Sequence, residues 1–169
     1  MYMAENPTNA EKIGQKTAKL DERDKMIVNL LNRNSRLTLK EISREVGLSI
    51  DGVKGRIDKM KETGVIEKFT IIPNPKFFGF PLVSHVYIRL QNITDEALKE
   101  FERYLRNHSR VIVLMSMVGD YDMYFVILAK DTIDLNSMKN EIRMKFRGLI
   151  ADWKEVVVAK ILKYEEYKF

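Results

Sequence analysis

The sequence predicts an α+β protein in two parts: a three-helix helix-turn-helix unit, then a strand and linker, then a ferredoxin-like βαββαβ sandwich. Three observations carry this expectation. Residues 38–60, TLKEISREVGLSIDGVKGRIDKM, read as two capped helices around a glycine turn. Apolar residues before residue 64 recur at helical spacing, and after residue 82 strand-like runs alternate with helical ones. The order of those later runs is β-α-β-β-α-β, which matches two helices laid on one face of an antiparallel sheet.

The first helix is placed by Asp21, a residue able to accept an orphan amide at a helix start. Met26, Ile27, Leu30 and Leu31 form its apolar stripe. Thr38 and Glu41 make a capping box for the second helix, with Leu37 and Ile42 as its hydrophobic staple. Gly47 supplies the left-handed residue that ends that helix. Ser49 caps the third helix, and Leu48 with Val53 repeats the staple. Ile42 and Val46, then Val53, Ile57 and Met60, complete a small core. Gly64 marks the end of the unit. VIEKFTII, residues 65–72, reads as a strand, and PNPKFFGFP as a punctuated linker.

In the second part, strands are expected over 82–91, 110–118, 123–129 and 153–164, with helices over 95–107 and 134–147. Leu98, Phe101 and Leu105 form one helical stripe; Leu135, Met138, Ile142 and Phe146 form the other. Gly119-Asp120 opens a hairpin. The central strands are apolar on both faces. Strict alternation puts Val111, Val113, Met115 and Met117 on one side and Ile112, Leu114 and Val118 on the other. Helices can cover only one side, and an uncovered apolar face of that size implies a second subunit. The expected organisation is a flexible extension over 1–19, the helix-turn-helix domain over 20–64, strand and linker over 65–81, and the sandwich over 82–169.

Composition bounds the function. The chain has 169 residues, a net charge of +5 and no cysteine. That excludes disulfide and thiolate chemistry and fits an intracellular protein. Two histidines without cysteine argue against a transition-metal site. No run is long enough to span a membrane, and the N-terminus lacks the apolar core of a signal peptide. Residues 1–72 hold 14 Lys+Arg against 11 Asp+Glu, and residues 73–169 hold 15 against 13. The charge is spread too evenly to argue nucleic-acid binding, so the motif must carry that argument. No catalytic triad, phosphate-binding loop or dinucleotide fingerprint is present.

With Val53, Ile57 and Met60 inward, Asp51, Gly55, Asp58 and Glu62 face outward on the third helix, flanked by Lys54 and Lys59. Ser49, Ile50, Asp51, Lys54 and Gly55 are the candidates to approach bases. Lysine can donate to guanine and aspartate can accept from cytosine. Arg36 is a phosphate candidate. Arg56, beside the core stripe, suits either a phosphate contact or a structural ion pair. His85 falls on the sheet face away from the helices, in a hydrogen-bonded role. Trp153, Tyr164, Tyr167 and Phe169 read as packing residues.

With these elements in order, the chain resembles the Lrp/AsnC (feast/famine) transcriptional regulators of bacteria and archaea from about Leu20 to Tyr164. The residues that carry the likeness are Leu20, Asp21 and Asp24; Asn34-Ser35-Arg36; Glu41-Ile42; Val46-Gly47-Leu48-Ser49; Val53; Arg56-Ile57; Gly64-Val65-Ile66; and Gly119, Tyr121 and Asp122. The resemblance implies a homodimer through the C-terminal sheets, often assembled into octamers. It implies double-stranded DNA at pseudo-palindromic sites as partner, no cofactor, and a cytoplasmic, nucleoid-associated location. It also implies an amino-acid effector held between subunits, with Gly119, Asp120, Tyr121 and Asp122 as the candidate residues. Gly52 and Gly55 depart from the better helix formers usual in the family. Gly55 either lets the helix backbone approach DNA closely or marks a marginal helix that firms up on DNA. Two alternatives stay open: a nucleoid-type protein with little sequence preference, and a haem-pathway decarboxylase of similar scaffold. The hairpin VGDYDMYF has neither histidine nor arginine, which argues against the decarboxylase.

Overall fold

The computed structural model describes residues 19–164 and 167–169. The expected flexible extension therefore lies almost wholly outside the described residues. The chain divides into two compact units. One ends at Ile71 and also takes in the C-terminal Tyr164–Phe169; the other is Ile72–Lys163.

The first unit holds α1 (Glu22–Arg33), α2 (Leu39–Val46) and α3 (Ile50–Glu62). Each start is fixed by a side chain that accepts the amide three residues on. Asp21 accepts from Asp24 and Thr38 from Glu41, both with the reciprocal carboxylate contact of a capping box, and Ser49 accepts from Gly52. Gly47 ends α2 in the left-handed region at φ 67. Ile27, Ile42, Val46, Val53, Ile57 and Met60 form the core, with Leu30, Leu31, Leu37 and Leu48 packed around it. Met26 does not join them: it is 39% exposed, because a 3.6-residue period puts Ile27 inward and turns its neighbour out. No strand forms over 65–72. Among the described residues this apolar segment finds no ladder partner, and Phe69, Ile71 and Ile72 stay exposed. A short 3-10 turn, Pro75–Phe78, follows, ending at Gly79 with φ 82.

The C-terminal residues dock on α1. The Asn29 amide donates to the Phe169 carbonyl at 2.9 Å and accepts from the Phe169 N–H at 3.2 Å; Asn32 donates to the Tyr167 carbonyl at 2.9 Å. The Tyr167 and Phe169 rings stack within 4° of parallel. The two rings stay exposed, as does Tyr164, so of the four aromatics expected to pack only Trp153 is buried.

The second unit is β1 (Leu82–Leu90), α4 (Asp95–Asn107), β2 (Val111–Ser116), β3 (Met123–Ala129), α5 (Thr132–Lys145) and β4 (Ile150–Val157). The sheet order is β2-β3-β1-β4, antiparallel throughout. Both helices pack on one face, against Val86, Ile88, Phe125, Ile127 and Trp153. Helix α5 begins two residues before the expected Asp134, because Asp131 caps it by accepting the Asp134 N–H at 2.8 Å. Strand β4 runs earlier than expected: Ile150 already pairs with Leu90, and the paired ladder with β1 ends at Ser84–Val157, followed by one more hydrogen bond from the Val158 N–H to the Val83 carbonyl at 2.8 Å.

The alternation expected for β2 is overturned by a bulge. Val111 pairs with Ile127 and Val113 with Val126, so Ile112 is an extra residue without a partner. Val111 and Leu114 therefore both pack toward the helices, while Val113 and Met115 turn to the outer face. That face also carries Val83, His85, Tyr87 and Arg89 from β1, Tyr124, Val126 and Leu128 from β3, and Lys154 and Val156 from β4. His85 lies there as expected, with its Nδ1 2.8 Å from the Tyr124 hydroxyl.

Candidate nucleic-acid interface and effector hairpin

The turn between α2 and α3 is held from several sides. The Ser43 hydroxyl donates to the Leu48 carbonyl at 2.6 Å, and the Arg23 guanidinium donates to the Val46 carbonyl. The Arg23 guanidinium also lies 3.5 Å from where a Cβ on Gly47 would sit. Arg23 carried no recognisable motif, so its role was not visible in the sequence.

The N-terminal end of α3 is open. Ser49, Ile50, Asp51, Lys54, Gly55 and Lys59 are exposed, with Ile50 at 46%. Ser49 accepts the Gly52 N–H at 3.0 Å. A Cβ on Gly52 would meet Ser49 Oγ at 3.1 Å, whereas one on Gly55 would meet nothing within 4 Å. Gly52 thus leaves room for the cap; Gly55 has no such internal reason. Arg36 is exposed in the turn before α2, its N–H donating to Asn34 Oδ1 at 3.0 Å.

Arg56 differs from these residues. Its guanidinium lies 2.7 Å from both Asp21 and Asp24, which pins α3 to the start of α1. The two carboxylates, Asp24 first, raise its pKa above the usual arginine value. Asp21 is held below the usual carboxylate range by the Asp24 N–H and then by Arg56. Of the two roles open to Arg56, the ion pair is the one formed.

In the second unit, the β2–β3 connection spans 117–122. Gly119 has φ 144, a value closed to residues with a Cβ. Asp122 is tied in at both ends: its carboxylate accepts the Leu90 N–H at 2.7 Å, and its own N–H donates to the Ile88 carbonyl at 2.9 Å. Asp120 offers its carbonyl to Arg89 Nε at 3.1 Å and keeps its side chain at the exposed tip. The Tyr121 ring rests against Tyr87, with Arg89 and Lys154 near its face. The sequence reading missed Arg89, Tyr87 and Lys154, because their meeting depends on strand register. Among the described residues no group of three or more acidic or histidine side chains is gathered as a metal ion would need.

A winged helix-turn-helix DNA-binding model matches residues 20–67. The regulator LrpA of Pyrococcus horikoshii is 33% identical over 146 residues, covering 84% of this chain and 99% of the relative. The chain belongs to the Lrp/AsnC family of transcriptional regulators. A solved Lrp/AsnC-type structure, the AsnC family regulator of Agrobacterium tumefaciens, superposes with TM-score 0.76 at 26% identity, over 86% of this chain and 94% of that one. A Neisseria meningitidis regulator solved as an L-methionine complex shares the fold, with TM-score 0.79 at 19% identity over 89% of this chain and 96% of that one. This Lrp/AsnC chain is accordingly a DNA-binding transcriptional regulator. Its relatives are named as regulators, which favours a role other than catalysis, and nothing supports the decarboxylase reading. No described helix is long and apolar enough to cross a membrane.

Proposed function

We propose that this regulator reads DNA with the N-terminal end of α3 and responds to an amino-acid-type effector at the Gly119–Asp122 hairpin. The observation that carries the DNA half is the exposed set Ser49, Ile50, Asp51, Lys54 and Gly55 on a helix whose opposite side is buried. Lys54 reaches bases; Arg36 and Lys59 neutralise phosphates. Arg56 contributes by holding α3 on α1.

The working unit is a homodimer. The outer sheet face supports this: Met115 and Val156 are 55% and 48% exposed beside Val83, Val113 and Leu128. A second copy laid on that face buries this apolar area, and the family resemblance points to higher assembly such as an octamer. Two recognition helices then favour a pseudo-palindromic site with half-sites about one helical turn, roughly 34–36 Å, apart. The effector reading is supported by the L-methionine complex of the Neisseria fold relative. The place of work is the cytoplasm, on chromosomal DNA.

The test is selection of sites from a random DNA pool, followed by fluorescence anisotropy with the chain and with Lys54→Ala. A selected palindrome bound far more tightly than random DNA, and weakened about tenfold or more by the substitution, bears the reading out. Equal affinity for selected and random DNA at physiological salt replaces it with the nucleoid-type reading. Unchanged specific binding by Lys54→Ala removes this face as the reader.

A further inference from the structure

We infer that the effector site takes a doubly anionic ligand, an acidic amino acid or the matching 2-oxo dicarboxylate, held by Arg89 and Lys154. The inference rests on the hairpin as the effector site and names the ligand class that site selects.

Arg89 closes β1 on the outer face, and Lys154 stands on the same face of the neighbouring β4. The Arg89 guanidinium is 5.7 Å from the Tyr121 ring centroid and the Lys154 ammonium 5.9 Å from it. Tyr121 is itself braced by Tyr87 at 5.7 Å. One aromatic ring therefore holds two cations beside it. Arg89 spends only Nε on the Asp120 carbonyl, which fixes the guanidinium and leaves its two terminal nitrogens for a bidentate carboxylate.

Neither cation forms an ion pair among the described residues. The nearby acids are partly spoken for. Asp122 accepts the Leu90 N–H, and Asp152 accepts the Trp153 N–H at 2.9 Å. Among the described residues the exposed Asp120 carboxylate at the tip has no hydrogen-bond partner, which suits a ligand ammonium.

Covering this face with a second subunit takes Arg89 and Lys154 out of water. Two desolvated cations without partners are costly, and an anion between them removes the cost. A neutral amino acid has one carboxylate and leaves one cation unpaired. A dicarboxylate satisfies both.

The test is calorimetric titration of the full-length protein with L-glutamate, L-aspartate and 2-oxoglutarate, set against L-glutamine, L-asparagine, L-methionine and L-lysine. Arg89→Gln and Lys154→Gln are the informative variants; both positions are exposed, and circular dichroism checks that the fold is kept. The expected result is that an acidic ligand binds about tenfold or more tightly than its amide. Each substitution should erase a similar factor, the loss expected when a charged acceptor loses a charged donor. Preference for glutamate over 2-oxoglutarate assigns the ligand as an amino acid; the reverse assigns the oxo acid; both support the inference. Amide binding as tight as the acid overturns it, as does a preference unchanged in both variants. So does a loss of dimer without loss of preference, which would mean that the cations pair with acids of a second copy. A neutral amino acid whose binding is lost in Gly119→Val would sink the acidic specificity and leave the hairpin site standing. Absence of binding by any of these ligands at millimolar concentration overturns both.

Discussion

Gly55→Ala separates two explanations of an unusual recognition helix. Glycine inside a helix costs about 1 kcal/mol relative to alanine. A Cβ at position 55 meets nothing within 4 Å, so the full gain should reach the folded state without a clash. Stability of the helical unit should rise by about 0.5–1 kcal/mol, several degrees in its melting transition. If Gly55 exists to let the helix backbone approach DNA closely, the same methyl must intrude at the interface. Forcing a methylene into packed space costs about 1–3 kcal/mol, roughly five- to 150-fold in Kd. Stability and affinity then move in opposite directions. Gly52→Ala is the control: its Cβ would press on Ser49 Oγ at 3.1 Å, so the propensity gain is offset by damage to a cap worth about 1 kcal/mol. Thermal melts by circular dichroism and anisotropy on the selected DNA site read both quantities. Affinity that rises together with stability in Gly55→Ala would refute the close-approach argument and identify a helix whose marginal folding limits binding.

Arg56→Met should lower the melting temperature of the first unit without a specific change in sequence preference, because the side chain is committed to Asp21 and Asp24; a changed base preference in the site selection would show that it reads DNA after all. The carboxylates predict an acid-sensitive first unit. Asp21 and Glu41 titrate below their ordinary values of 3.8 and 4.5 when folded, so their contribution is present above those values and lost as pH falls through the lower folded ones. Thr38→Ala removes the hydroxyl, the lesser of the two Thr38 donors that depress Glu41, and leaves the backbone N–H; it should flatten that part of an acid-unfolding curve only in part, followed by circular dichroism. His108 makes the second unit sensitive in a different window. Burial, then Arg110, lowers its pKa from 6.5, so stability should begin to fall as pH drops below 6.5, and His108→Gln should remove that slope. Asn29→Ala withdraws both hydrogen bonds to Phe169 and should release the C-terminal residues, seen as faster amide exchange at Phe169.

The elements closed by local chemistry were legible in the sequence. Asp21, Thr38-Glu41, Ser49 and Gly47 each fix a helix end with groups three or four residues apart, and each stands where the sequence places it. The ferredoxin-like order was legible for a related reason: β1, β2 and β3 each carry their own apolar run, whereas the mixed sequence of β4, IADWKEVV, left its start misplaced. Features that depend on a partner distant in the chain were not. The apolar run over 65–72 has a strand's composition, but a strand needs a ladder and the described residues offer none. The bulge at Ile112 depends on β3, since nothing within VIVLMS announces that two residues will face one.

The same distinction divides the two sites. The recognition face of α3 is a local property, because three inward residues on one helix decide which others look out. The hairpin gave Gly119, Asp120, Tyr121 and Asp122 by resemblance, but its chemistry sits elsewhere. Asp122, the carboxylate expected to meet a ligand, is occupied in holding Leu90, and the charges free to act are Arg89 and Lys154, on two strands separated by more than sixty residues. They meet only because β4 returns beside β1 in a register that sets Lys154 opposite Tyr87 and Asp152 opposite Arg89. A one-residue slip of β4 would turn Lys154 into the core and Trp153 out to solvent. On the proposed assignment, specificity for the effector is tied to the same register that buries Trp153. Substitutions that loosen the β1–β4 ladder should alter ligand preference before they alter DNA recognition by α3.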